Sequence, residues 1–452
     1  MDDFDKLIKC KIKNEKWETS IAFDNTIKTS LDRLENKKIK KMIPRKIIAI
    51  VAILTVVNVT TVFAMTPQGK EMIKGIVEFF NGQYGQEYIS NKDNFDKFNK
   101  ATGITVEDKG IKVTLDNVAV DDNFLNTFYT IESTETIKKV EEDTPWTATF
   151  TSPFLISSIN GDNNYIGNNN DIDAYFKSDK ILKVMKRENI SQVNLNDTFD
   201  LRITCDEIFG KKGNWTIDTK VSKEDAKVET ISVNPNKKAT INLSDFKHDI
   251  NIEKVTLSPF GNQIVISEET STERFFSIFA LYDDKGNSLD VLNTSLHGSS
   301  FGKVTNSYEF INSNKDMKYV TLVPIEWEDK HQEKDKIKND LNSFPVSLNV
   351  SENGKLMIQD MQFENNALKI DYKKEGVVVV DPTFSFYDEN GNDIDFGHVY
   401  LSSKVDRQNG IYTEIFKFTN ENIDISKIKK IGASKQDDFK LLKNQSIKID
   451  LE

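Results

Sequence analysis

Cysteine and histidine are nearly absent from this chain of 452 residues. Two cysteines, Cys10 and Cys205, exclude a disulfide-stapled scaffold and any multi-cysteine zinc site. The four histidines, His248, His297, His331 and His398, are scattered and argue against a histidine-based active site. Also missing are a Ser-His-Asp order, G-x-S-x-G, H-E-x-x-H, C-x-x-C and a phosphate-binding Gly-rich loop. Neither enzymatic activity, nor a metal, nor a cofactor is therefore expected. Excess positive charge is lacking as well. Seventy-one acidic against 60 basic residues give a net charge of −11, the wrong sign for a nucleic-acid binder. What the chain does have is material for cores. Its 29 Phe, 12 Tyr and 4 Trp are too many for a disordered sequence. At roughly 150 residues per domain, the length suggests about three domains.

One segment sets the expected location. Residues 47–65, IIAIVAILTVVNVTTVFAM, carry no charge. Nineteen helical residues at about 1.5 Å each span close to the thickness of a bilayer core. Lys37, Lys38, Lys40, Lys41, Arg45 and Lys46 crowd its N-terminal side, which keeps that side in the cytosol by the positive-inside rule. The charge split agrees. Residues 1–46 hold 13 basic and 8 acidic side chains, whereas residues after 65 hold 47 and 63. A buried core helix fits less well, because the run has no polar stripe and a basic flank. A cleaved signal peptide also fits less well, because 46 residues precede the run. Asn58 is a polar residue tolerated within the span. The expectation is a single-pass protein of the cell membrane, N-terminus cytosolic and C-terminus extracellular. Its Lys, Asn and Ile bias suggests a bacterial source.

The cytosolic tail carries two apolar stripes at helical spacing. Phe4, Leu7 and Ile8 form one; Phe23, Ile27, Leu31 and Leu34 form the other. Forty-six residues cannot build a core of their own. The second stripe therefore needs an outside partner, either a protein groove or the membrane surface. Beyond the span, residues 66–82 read as a short amphipathic helix with Met72, Ile73, Ile76, Phe79 and Phe80 on its apolar face.

From there on, period-2 alternation dominates. Ile111, Val113 and Leu115 alternate with polar residues, as do Leu201 with Ile203 and Trp215 with Ile217. Two internal repeats organise these strands. Residues 115–125 (LDNVAVDDNFL) superpose on 358–368 (IQDMQFENNAL), and 252–264 follow the same plan with two extra residues. Residues 279–290 (FALYDDKGNSLD) match 384–395 (FSFYDENGNDID). The expected fold class is mainly β, with tandem immunoglobulin-like β-sandwich modules. The expected divisions are a cytosolic helical tail (1–46), a transmembrane helix (47–65), a juxtamembrane helix and linker (66–100), and modules at 101–230, 231–340 and 341–452. The Asp/Asn clusters around Gly286 and Gly391 could hold Ca²⁺, but lack EF-hand spacing; they read as turns, which these residues favour. Residues 160–173 read as a loop. Glu326, Trp327 and Glu328 give only a thin signal for a sugar patch.

The order of basic tail, one apolar span, Thr66-Pro67-Gln68-Gly69-Lys70 and then GIKVTLDNVAVDDNFLNTFYTIES (110–133) resembles a Gram-positive bacterial family. That family is catalogued as domain of unknown function 4179, and its members look like membrane-anchored anti-sigma factors. The closest match is G-I-x-V-x-x-D-x-V-x-x-D from Gly110 to Asp121. The modules beyond 231 resemble the immunoglobulin-like domains that follow in the family. The resemblance implies that the tail sequesters an extracytoplasmic-function sigma factor through Phe23, Ile27, Leu31 and Leu34, while the exterior senses the envelope through an unknown extracellular ligand. Many anti-sigma factors carry a His/Cys zinc domain; this tail has no His and only Cys10, so zinc-dependent binding is not implied. The alternative is a membrane-anchored surface binding or structural protein with no sigma partner. An exterior hydrolase ranks third.

Overall fold

The period-2 stretches fold as antiparallel strands. A computed structural model describes residues 92–452 apart from 138–150, 162–169, 245, 271–277, 299–301, 312, 314–315, 329–335, 365–366, 395–398 and 419–423. The tail stripes, the apolar run 47–65 and the juxtamembrane helix 66–82 lie outside the described residues. The described residues all fall within one compact unit, Thr61–Glu452. They are mainly β, with two short helices, α1 (Lys92–Phe98) and α2 (Glu224–Lys227).

Among the described residues the first module has eight strands: β1 (Asn99–Asp108), β2 (Ile111–Val120), β3 (Phe124–Ser133), β4 (Ile156–Ile159), β5 (Asn170–Ser178), β6 (Ile181–Asn189), β7 (Thr198–Ile208) and β8 (Lys211–Ser222). One sheet runs β1-β2-β3-β6-β5 and the other β4-β7-β8. In β7, Phe199, Leu201, Ile203 and Cys205 are buried, while Asp200 and Arg202 face solvent. Those inward residues join Leu115, Ile131, Leu182 and Trp215 in one core between the sheets. The Trp215 indole N–H donates to the Ile111 carbonyl at 2.9 Å, which satisfies the one polar atom of that buried ring. Residues 170–173, expected in a loop, open β5 instead: Asp173 lies opposite Met185, so pairing with β6 extends the strand into an Asn/Asp-rich stretch.

The second module comprises β9 (Ile231–Val233), β10 (Lys237–Asn242), β11 (Lys247–Leu257), β12 (Asn262–Thr270), β13 (Phe279–Tyr282), β14 (Ser288–Gly298), β15 (Gly302–Ile311) and β16 (Tyr319–Trp327). Its order is β10-β11-β12-β15-β14, continuing through β13 to β16. Strand β14 pairs with β13 at Leu289 and with β15 from Asp290 onward, so it passes from one layer to the other. The third module comprises β17 (Lys336–Asp340), β18 (Val346–Leu348), β19 (Gly354–Glu364), β20 (Ala367–Gly376), β21 (Phe384–Tyr387), β22 (Val399–Asp406), β23 (Ile411–Phe418) and β24 (Lys430–Ser434). Its sheets run β18-β19-β20-β23-β22 and β17-β24-β21. Counted from β1, β10 and β18, the same plan thus occurs three times: strands one, two, three, six and five share a sheet, and strands four and seven share the other.

The first sequence repeat marks a β-bulge in the same place each time. Register shifts between Leu115 and Asn117, between Ile252 and Lys254, and between Ile358 and Asp360. The extra residue is Asp116, Glu253 or Gln359. In the first two modules this acid reaches a hydroxyl on the next strand and a lysine beyond it. Thr130 donates to Asp116 at 2.6 Å, with Lys183 at 3.5 Å; Ser267 donates to Glu253 at 2.6 Å, with Lys303 at 2.5 Å. The second repeat is a turn. Asp283 Oδ1 accepts from the Lys285 and Asn287 amides, and Asp388 Oδ1 from those of Asn390 and Asn392. Gly286 and Gly391 follow with φ of 82° and 83°, a region glycine enters without strain. These carboxylates bind their own loops.

The eighth strand is where the modules differ. In the first module β8 follows β7 as a hairpin. In the second, the strand after β16 leaves: β17 pairs with β24 of the third module. The chain then returns through β25 (Phe439–Leu441) and β26 (Ile447–Asp450), which both pair with β16. Ile447, Ile449 and Leu451 enter the second core, so residues 435–452 complete the second module from beyond the third.

Candidate functional site

Three hairpin plans meet at one buried junction. The tip of β2–β3 contributes Asp121 and Asn123; the tip of β11–β12 contributes Ser258, Phe260 and Gly261. Asp121 Oδ1 accepts from the Asn123 and Phe124 amides at 2.8 Å each, and Oδ2 from the Phe260 amide at 2.7 Å. One carboxylate therefore closes its own turn and grips the neighbouring module. Burial raises its pKa, against the pull of those three N–H donors. Asn123 Nδ2 donates to Ser258 Oγ at 2.9 Å and to the Gly261 carbonyl at 2.7 Å. Gly261 has φ 147°, and a Cβ there would meet the Phe124 ring at 2.6 Å. The two tips are two copies of the first sequence repeat.

Charge gathers behind them. Arg187 on β6 donates to Glu309 on β15 through Nη1 at 3.0 Å and Nη2 at 2.6 Å, and to the Phe260 carbonyl at 3.0 Å. Its guanidinium carbon lies 3.3 Å from the Phe124 ring centroid. Arg407, in the β22–β23 turn of the third module, donates to Glu309 through Nε at 2.9 Å. All three modules thus contribute to one charge cluster. Burial alone would raise the Glu309 pKa, but Arg187 and Arg407 outweigh it and bring it down to about 2.

An aromatic clasp completes the junction. Phe95 of α1 stacks on Phe260 with centroids 4.8 Å apart and meets Phe128 edge-on at 5.6 Å. Phe98 meets Phe260 at 6.3 Å, and Asn94 Nδ2 donates to the Pro259 carbonyl at 2.8 Å. The element nearest residues 66–91 in sequence is thereby fastened to the first and second modules together. A cleft of about 650 Å³ runs alongside, bordered by Asn94, Ser258, Asn262 and Arg407. The arrangement holds modules together.

Two stretches of the chain match known families. Residues 35–133 carry a domain of unknown function (DUF4179). Residues 230–348 carry a family of unknown function (DUF5643). The first match ends with β3 and contains Asp121, Asn123 and Phe124; the second contains Phe260, Gly261 and Glu309. The two tips that meet at the junction therefore come from the two matched stretches. No curated protein matches the chain. A solved structure, the conserved domain protein from Bacillus anthracis, is 18% identical, covers 58% of this chain and 87% of its own, and superposes with a TM-score of 0.39.

The residues expected to bind a partner, Phe23, Ile27, Leu31 and Leu34, lie outside the described residues. Trp327 is 44% exposed and packs edge-on against Phe439, while Glu326 accepts from the Ser244 amide and Glu328 pairs with Lys440. Its two acidic neighbours are therefore committed to structure. Sequence reasoning missed the junction. A usable signal existed: the chain has only six arginines, and two of them meet at Glu309.

Proposed function

We propose that the protein is a single-pass membrane regulator resembling an anti-sigma factor. Its cytosolic tail sequesters an extracytoplasmic-function sigma factor, and its exterior modules report the state of the envelope. The observation that carries this reading is the extent of the DUF4179 match, residues 35–133. One family model takes in the cation-rich flank, the uncharged run 47–65 and the first three strands of the exterior. A unit that includes both sides of a membrane-length segment is suited to passing a signal across it. The stripe of Phe23, Ile27, Leu31 and Leu34 is the tail's only four-residue apolar face at helical spacing, and it binds the partner.

The modules are immunoglobulin-like in this reading. Without its first strand, the first module has two, three, six and five in one sheet and four, seven and eight in the other, which is the ABED and CFG arrangement of constant-type immunoglobulin domains; in the second and third modules β25–β26 and β17 take the place of the eighth strand. Affinity capture of the full chain from bacterial membranes tests the function. A sigma factor should co-purify and be lost on Leu31→Asp or Ile27→Asp. If no sigma factor co-purifies with the unaltered chain, the regulatory reading fails. The second reading, a surface binding or structural protein, would then stand, and the interlocked second and third modules favour it.

A further inference from the structure

On another side of the seam between the first two modules lies a second cleft, of about 490 Å³. Asp122, Ser191, Gln192 and Lys223 line it from the first module, and Ser232 and Lys254 from the second. Two of its donors lack acceptors. Gln192 Nε2 is buried and makes no hydrogen bond, and Lys254 has neither an ion-pair nor a hydrogen-bond partner among the described residues. A buried donor without an acceptor, such as Gln192 Nε2, is costly; Lys254 is half-buried. The nearby carboxylates are already engaged: Asp122 pairs with Lys223 at 2.5 Å, and Asp121 accepts three backbone amides. Burial holds the Lys254 pKa below the ordinary lysine value; the Asp122 and Asp121 carboxylates oppose this and the Lys223 ammonium adds to it.

The shared architecture does not call for a cation at this position. Lys254 follows the β-bulge of β11, and its counterparts after the bulges of β2 and β19 are Asn117 and Asp360. Bulges re-aim side chains, and here the re-aimed side chain is a lysine at a module seam.

We propose that this cleft binds a phosphate group, with Lys254 and Lys223 as its cationic contacts. A tetrahedral oxyanion offers acceptors in several directions at once, which suits donors converging from two modules. Binding across the seam would also stabilise the pairing of the modules, by linkage. The phosphate can be a free ion or part of a phosphodiester.

The test titrates the full chain with inorganic phosphate, followed by ³¹P line broadening, and repeats it with glycerol 3-phosphate and a glycerophosphodiester. Saturable binding is expected, weakened at least tenfold by Lys254→Gln and retained by Lys254→Arg. Lys285→Gln, on an exposed turn, should leave it unchanged. Because Lys254 has no partner to lose, Lys254→Gln should melt no lower than wild type; Lys254→Met serves the same comparison if the glutamine variant does not fold. Binding of the diester would indicate a polymer source, and binding of the ion and monoester alone a free one. Absence of saturable binding in all three titrations, or undiminished binding by Lys254→Gln, would overturn the proposal.

Discussion

Glu309 shows how one side chain comes to depend on two modules besides its own. Its carboxylate is buried, so it persists as an anion only because Arg187 and Arg407 reach it. Removing one member of such a cluster leaves uncompensated buried charge, which costs about 3–5 kcal/mol. Glu309→Gln should lower stability by that order in urea denaturation at pH 7. The pH dependence has a definite sign. The folded value, about 2, lies below the ordinary glutamate value of 4.5. Its contribution is therefore complete above about pH 4.5 and fades as pH falls toward 2, a loss of about 3 kcal/mol by linkage. The Gln variant should lack this part of the acid slope. Asp121 and Glu188 act in the opposite direction, because burial raises their values. Gly261→Ala adds a Cβ at φ 147° against the Phe124 ring, and should destabilise by about 1–3 kcal/mol.

At the scale of elements, the return strand β26 and the helix α1 are each held by a few apolar side chains. Ile449 is buried in the second core opposite Val320. Ile449→Ala should cost about 2–5 kcal/mol. Hydrogen exchange should then speed up first in β16 and β26, while β2 and β3 keep their protection. Phe95→Ala removes the ring stacked on Phe260 and should cost about 3–5 kcal/mol. Proteolysis near residues 92–98 should then accelerate ahead of cleavage within the third module. The repeats were legible in the sequence because bulge and turn each leave a local mark. Asp and Asn close the two glycine turns, and an extra residue sits between alternating positions in the hairpins. The junction was not legible. Asp121, Arg187, Phe260, Glu309 and Arg407 span nearly 290 positions, and no local periodicity links them.

At the scale of the whole molecule, the second and third modules are not separable in chain order. The second takes its last strands from residues 439–450, and the third takes β17 from the segment that follows β16. A fragment covering 231–340 should therefore fail to fold, whereas 231–452 should give dispersed amide spectra and one unfolding transition for both modules. Calorimetry showing two independent transitions for that pair would contradict the interlock. Pairing β16 with β26 closes a loop of more than 100 residues, so this step should fold slowly.

The sequence by itself determined the kind of element and its local detail. Alternation of apolar and polar residues needs only neighbouring positions, and it produced strands facing a core. Composition likewise argued against disulfide and zinc scaffolds without reference to any fold. Tertiary structure decided which strands complete which module and which hairpin tips touch. Strand edges are satisfied by any partner with the right spacing and apolar face, so Ile447, Ile449 and Leu451 carry no address for β16 in their own pattern. The choice was made where burial was available, between sheets brought together by the rest of the chain.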